Sequence, residues 1–214
     1  MKIAKPTLSK DLETVTDIPS FIRNEDSLED AIVENESFNQ QTLKGFSIAN
    51  TRIVKTDLSE VKINGFSLKD TVFIDSNMAA AKFPNSSWHV IELINSRCTG
   101  MQITEGVLKD VLFKGCKLDM VNFRFSKLTN TIFDNCVVKE MDFYNAELKN
   151  VKFIDCEIDN VEFSASKLQS VDFTESQIVL IKGTPSLKGA IISNEQLIHL
   201  APYFAAEFGI KVVE

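Results

Sequence analysis

From Leu28 to Ile178 every fifth residue is apolar, 31 positions without a break. In the stretch FKGCKLDMVNFRFSKLTNTIFDNCVVKEMDF, Phe stands at 113, 123, 133 and 143, with an aliphatic residue midway at 118, 128 and 138. Hydrophobic residues make up 44% of the chain, so a run of this length does not arise by chance. An amphipathic helix repeats its apolar face at a period near 3.6 and a strand at about 2. A period of five fits neither, so the chain must turn a corner once in every five residues. Turning at that rate winds it into a solenoid.

A second pattern lies two residues before each centre, where the side chains are mostly small or β-branched: Val111, Cys116, Val121, Ser126, Thr131 and Cys136 are examples. Positions i and i−2 lie on one side of an extended segment, so both face inward. The intervening Lys, Asp, Glu and Asn face water.

Units such as CKLDM, VNFRF, SKLTN, TIFDN, MDFYN, AELKN and VKFID resemble the pentapeptide repeat family over residues 28–180. The middle slot departs from the family pattern where it holds Lys, Glu, Val or Ile, and the units across 81–100 are irregular. The resemblance implies an all-β fold, a right-handed quadrilateral parallel β-helix with four pentapeptides per coil and a short C-terminal helical cap. Residues twenty apart then stack, and the sequence supports this by itself. Phe113, Phe133, Phe153 and Phe173 form one ladder, Phe123, Phe143 and Phe163 the opposite one, and Leu108, Leu128, Leu148 and Leu168 a third. At ~4.8 Å per coil the repeats span a straight rod roughly 37 Å long.

Three departures from the beat need separate readings. Cys116, Cys136 and Cys156 fall twenty apart in one inward ladder, where a rung spacing of ~4.8 Å is compatible with a disulfide but small buried reduced thiols are the favoured reading. Cys98 replaces a large central residue. Pro84 and Trp88 interrupt the smoother units and predict either a bulge or a locally widened coil filled by Trp88 against Cys98.

The beat is absent from residues 1–27, read as an N-terminal cap segment, and stops after Ile178, leaving 181–214 as a C-terminal cap of helix and strand. Ser193 with Gln196 three residues on predicts a capping box. Leu197, Leu200, Phe204 and Phe208 recur at helical spacing, Pro202 should kink or split the helix, and Gly209 suits its C′ position, with Ile210–Val213 as a short last strand. Apolar residues on more than one face predict that Leu197, Leu200, Phe204 and Phe208 close the rod and join two copies.

The chain has no apolar run of ~20 residues and no secretory apolar core near its start, which predicts a cytoplasmic protein without membrane contact. Its net charge of −7 argues against direct nucleic-acid binding. No catalytic, cofactor-binding or metal-binding motif is present, and the only histidines, His89 and His199, have no motif neighbours. The reading is a non-enzymatic rigid interaction or scaffold protein with an unidentified protein partner and no cofactor. The family resemblance supplies an alternative, a DNA-mimicking modulator of type II topoisomerase (gyrase) related to quinolone resistance. Asp57, Glu60, Glu157 and Asp159, on the most acidic face, are the candidate partner-binding residues for it. Duplex DNA carries a charge every ~1.7 Å, far denser than a net −7 interspersed with Lys.

Overall fold

The computed structural model describes residues 1–213. The chain winds into a parallel β-solenoid in which each coil takes twenty residues. Leu108 lies beside Leu128, Leu148 and Leu168 on successive coils, and on the adjoining side Phe113 lies beside Phe133 and Phe153. The long strands Ser67–Ile74, Ser87–Ile94, Val107–Lys114 and Lys127–Asp134 cross two of the four sides, and Glu147–Asp159 and Lys167–Ile178 continue onto a third. The other two sides are held largely by single bridges, such as Asp57 to Asn77 to Arg97 on one and Lys82 to Gln102 to Asn122 on the other.

The corners have a simple chemistry that the apolar beat does not display. Every residue whose number is a multiple of five, from Asp30 to Ser170, has positive φ, and these positions comprise nine Asn, five Asp and four Gly among twenty-nine. A Cβ in the left-handed region crowds the neighbouring carbonyl, and Gly, Asn and Asp bear that best. The pentad is therefore two inward residues, the outward residues that flank the second of them, and one left-handed residue that makes the turn.

All 31 central residues are buried except Leu43, which is partly buried against the core. The phenylalanines form two walls of parallel rings. On one, Phe113, Phe133, Phe153 and Phe173 stack with centroids 5.0, 4.8 and 5.0 Å apart. On the other, Phe123, Phe143 and Phe163 are spaced 5.3 and 5.2 Å. The walls meet edge to face, as between Phe113 and Phe123 at 6.3 Å, an arrangement that complements the ring quadrupoles.

The irregular units are absorbed without a bulge. Ser87–Ile94 stays in register with both neighbouring strands, and Trp88 sits between Leu68 and Leu108, fully buried. Space comes from small partners: Ser86 and Gly106 occupy the inward slots beside it, and Cys98 the facing side. A Cβ on Gly106 would lie 2.7 Å from Ile103 and 3.3 Å from the Ser86 hydroxyl. The Trp88 indole N–H and the Ser86 hydroxyl have no hydrogen-bond partner, so the large ring is held at some polar cost. A register shift occurs instead near the end of the rod, where Ile154 pairs with Glu175.

Each end is covered. At the start, helix α1, Ile18–Asn24, begins with Pro19 in its first turn and inserts Ile18 and Ile22 into the core. At the finish, helix α2, Asn194–Glu207, opens on the expected capping box between Ser193 and Gln196. Its Leu200 is wholly buried, and the Gln196 side-chain amide donates to the Phe173 and Ser176 carbonyls, both at 2.7 Å, closing acceptors that the last coil leaves open. Pro202 does not split α2, because it is on the exposed side where water can serve the carbonyl it leaves unpaired. Gly209 adopts φ +66° and ends the helix in a Schellman arrangement, with Gly209 N–H to Ala206 O at 3.0 Å and Ile210 N–H to Ala205 O at 2.8 Å. The expected last strand over Ile210–Val213 does not form. After the Gly209 turn these residues pair with no coil and stay exposed.

Candidate interaction surfaces

Outward positions stack in columns just as the core does, so the columns decide the electrostatics. Lys114 meets Asp134 at 2.7 Å one coil on, and Glu147 lies between Lys127 and Lys167 at 3.4 and 3.1 Å. Lys152 reaches Asp172 at 3.6 Å and Glu175 at 2.5 Å, and Lys139 reaches Glu157 at 2.8 Å. Hydrogen bonding to Asp134 raises the Lys114 ammonium pKa, and hydrogen bonding to Lys167 and Lys127 lowers that of Glu147. Exposed pairs of this kind add little stability. Their effect is to alternate the sign of charge over residues 114–175.

Asp57, Glu60, Glu157 and Asp159 share one side, but as two separate pairs. Asp57 and Glu60 lie on one coil and Glu157 and Asp159 five coils further on, about 24 Å away at the usual strand spacing. Asn77, Arg97, Lys117 and Val137 occupy the column between Asp57 and Glu157, and Lys139 ties off Glu157. Asp57 is also engaged, accepting from Asn77 and from the Ser59 N–H, both at 3.0 Å.

One exposed patch was not anticipated. Phe125 occupies a left-handed corner at φ +60°, is half exposed, and packs edge to face on Tyr144 at 5.8 Å. Arg124 lies 5.1 Å from the Tyr144 ring centre and pairs with Asp142 at 2.7 Å. A bulky residue in the left-handed region is unusual. The signal in the sequence was Phe at a position where the neighbouring coils carry Glu105 and Asn145.

The four candidate residues of the C-terminal helix divide. Leu200 is buried and Phe204 partly buried against the core, whereas Leu197 and Phe208 are 49% and 80% exposed. Ile198 and Tyr203 extend the exposed surface.

Cys98, Cys116, Cys136 and Cys156 are all free and buried. Three thiols each donate to a main-chain carbonyl: Cys116 to Leu93 at 3.3 Å, Cys136 to Phe113 at 3.4 Å and Cys156 to Phe133 at 3.4 Å. A thiol reagent is therefore expected to label the native protein slowly and to find four thiols after denaturation without reductant. Rapid labelling, or fewer than four, would show an opened or oxidised ladder. His89 is half-buried on the outer surface beside Lys69 and Lys109, and His199 lies on α2 with Nε2 3.0 Å from the Val179 carbonyl. The two are on different structural elements and share no site. No helix among the described residues is long and apolar enough to cross a membrane.

Residues 126–186 match the family model described as a pentapeptide repeat region. No curated protein matches the chain. Among solved structures, the chain is similar to HetL, a pentapeptide repeat protein involved in heterocyst differentiation regulation from the cyanobacterium Nostoc sp. strain PCC 7120. The identity is 15%, covering 85% of this chain and 98% of that one, with a TM-score of 0.43. It is also similar to a trypsin-treated variant of QnrB1, a plasmid-mediated fluoroquinolone resistance protein, at 19% identity over 87% and 100% of the two chains and a TM-score of 0.38. A third likeness is to Rfr23, a pentapeptide repeat protein from the cyanobacterium Cyanothece 51142, at 16% identity over 58% and 86%, with a TM-score of 0.32. Residues 126–186 are thus a pentapeptide repeat region, and the five-residue beat, the twenty-residue coil and the left-handed corner of each pentad extend the same architecture back to Leu28.

Proposed function

We propose that the rod is a non-enzymatic interaction scaffold that binds a protein partner through its sides and its C-terminal end. The observation that carries this reading is the alternation of Lys and carboxylate up the same columns, from Lys114 with Asp134 to Lys127, Glu147 and Lys167. A surface built to copy a nucleic-acid backbone needs unbroken negative charge. This surface instead offers mixed charge with local aromatic and apolar patches, the composition of a protein-binding face. A gyrase supercoiling assay with purified protein, with and without a fluoroquinolone, should show neither inhibition nor drug protection at tens of micromolar. Salt-sensitive inhibition that disappears when Asp57, Glu60, Glu157 and Asp159 become Asn or Gln would replace the scaffold by a topoisomerase-directed DNA mimic.

The same reading includes a two-fold dimer through α2, whose Leu197, Ile198, Tyr203 and Phe208 remain exposed after Leu200 has closed the rod. Light scattering should give a mass near twice 24.0 kDa. Leu197→Asp with Phe208→Asp should halve it while leaving the fold intact, because neither side chain belongs to the core. A monomer at micromolar concentration would reduce α2 to a cap.

A further inference from the structure

Residues 1–12 are not a cap. They run in extended form along one corner of the rod, from its middle towards its N-terminal end, pairing with no strand. Their main-chain N–H groups donate to the side chains of left-handed residues stacked in one column: Ala4 to Asp110 at 3.3 Å, Thr7 to Asp70 at 3.5 Å and Ser9 to Asn50 at 2.8 Å. Glu13 N–H then reaches the Asp30 main-chain carbonyl at 2.9 Å, where the chain joins the first coils. The spacing matches. Three coils separate Asn50 from Asp110, ~14 Å at the usual strand separation, and five residues of extended chain at ~3.1 Å each cover ~16 Å.

The rung skipped is Val90. It has no acceptor to offer, and the strap passes it with Lys5 and Pro6, the latter having no N–H to donate. Val90 is a β-branched residue at φ +60° on a corner, yet it is only 7% exposed and lies outside the contiguous core. Its cover is therefore external, at the place where the flanking hydrogen bonds position Lys5 and Pro6. Ile3, Pro6 and Leu8 are partly buried while Lys2, Lys5 and Lys10 point to solvent beside a column that includes Asp30, Asp70 and Asp110. Donors, gap and charge on the strap thus answer acceptors, gap and charge on the corner.

We infer that this corner is a peptide-binding track, that residues 3–9 are its resident ligand, and that it takes from a partner an extended basic segment with proline at the Val90 rung. The inference draws its biological use from the scaffold reading but is tested by binding alone, so a gyrase result does not bear on it. A strap held by side-chain acceptors and three half-buried side chains belongs to the least stable part of a fold. In cis it competes at high effective concentration.

The test uses a fluorescein-labelled peptide MKIAKPTLSKDL, followed by anisotropy, with the full chain and with the full chain carrying Ile3→Asp and Leu8→Asp. Hydrogen exchange should protect the Ala4, Thr7 and Ser9 amides at least tenfold over the free peptide in the unaltered chain, and the double variant should lose that protection. The peptide should bind the double variant at least tenfold more tightly than the unaltered chain, and lose that binding when Asp70→Ala and Asp110→Ala are added, with circular dichroism unchanged throughout. The proposal is overturned if the strap amides exchange at free rates in the unaltered chain, or if their protection persists in the double variant. It is equally overturned if the peptide fails to bind the double variant, binds both chains alike, or ignores the loss of the two aspartates.

Discussion

Phe133→Asp is expected to leave no soluble folded protein. Phe133 is fully buried between Phe113 and Phe153, with rings 5.0 and 4.8 Å away, and Phe123 and Phe143 each 6.5 Å away, edge on. Removing such a ring costs about 3–5 kcal/mol, and placing a carboxylate without partners in the hole adds several more. Whole-domain stability is of the order of 5–15 kcal/mol, so the two together consume most or all of it. Phe133→Leu should fold, since Leu93 fills the same column two coils away, with a loss of about 0.5–3 kcal/mol in denaturant titration. Soluble yield and circular dichroism read both. A well-folded Asp variant would mean that this ladder does not face the core.

Leu200→Asp should open the C-terminal end without unfolding the middle. Leu200 is the residue of α2 that joins the contiguous core, and its truncation alone is worth about 2–5 kcal/mol. With α2 released, the Phe173 and Ser176 carbonyls lose the Gln196 amide, and each acceptor left buried costs a further ~1–3 kcal/mol unless water reaches it. In a solenoid each coil contacts its neighbours alone, so the damage stays near the end. Hydrogen exchange should show lost protection across 171–191 and retained protection across 107–153. The unpaired edge should also promote end-to-end association that grows with protein concentration. Uniform loss of protection would mean that the rod unfolds as one unit.

Much of the fold follows from a local rule repeated many times. The apolar beat of five determined the solenoid, its inward columns and the burial of Cys116, Cys136 and Cys156, because each pentad must bury the same face in the same way whatever its neighbours are. Ser193 and Gln196 determined the start of α2 for a similar reason, since a capping box is made within four residues. The corner chemistry was present as Asn, Asp and Gly at multiples of five, masked by the louder apolar pattern.

What only the tertiary structure decided are the contacts made once. The stacking of columns put Lys139 on Glu157 and set Arg97 and Lys117 between the two acidic pairs, breaking up a face that looks acidic when its charges are summed. The same stacking brought Phe125 to Tyr144, nineteen residues on, and sorted Leu200 to the core and Leu197 to solvent, although both fit one helical pattern. Ile210–Val213 had the composition of a strand, yet after the Gly209 turn they pair with no coil. The strap is the extreme case: Ala4, Thr7 and Ser9 find acceptors 106, 63 and 41 residues away. Periodicity reports only what a residue shares with its repeats, whereas these contacts depend on which unlike segments the finished rod brings side by side.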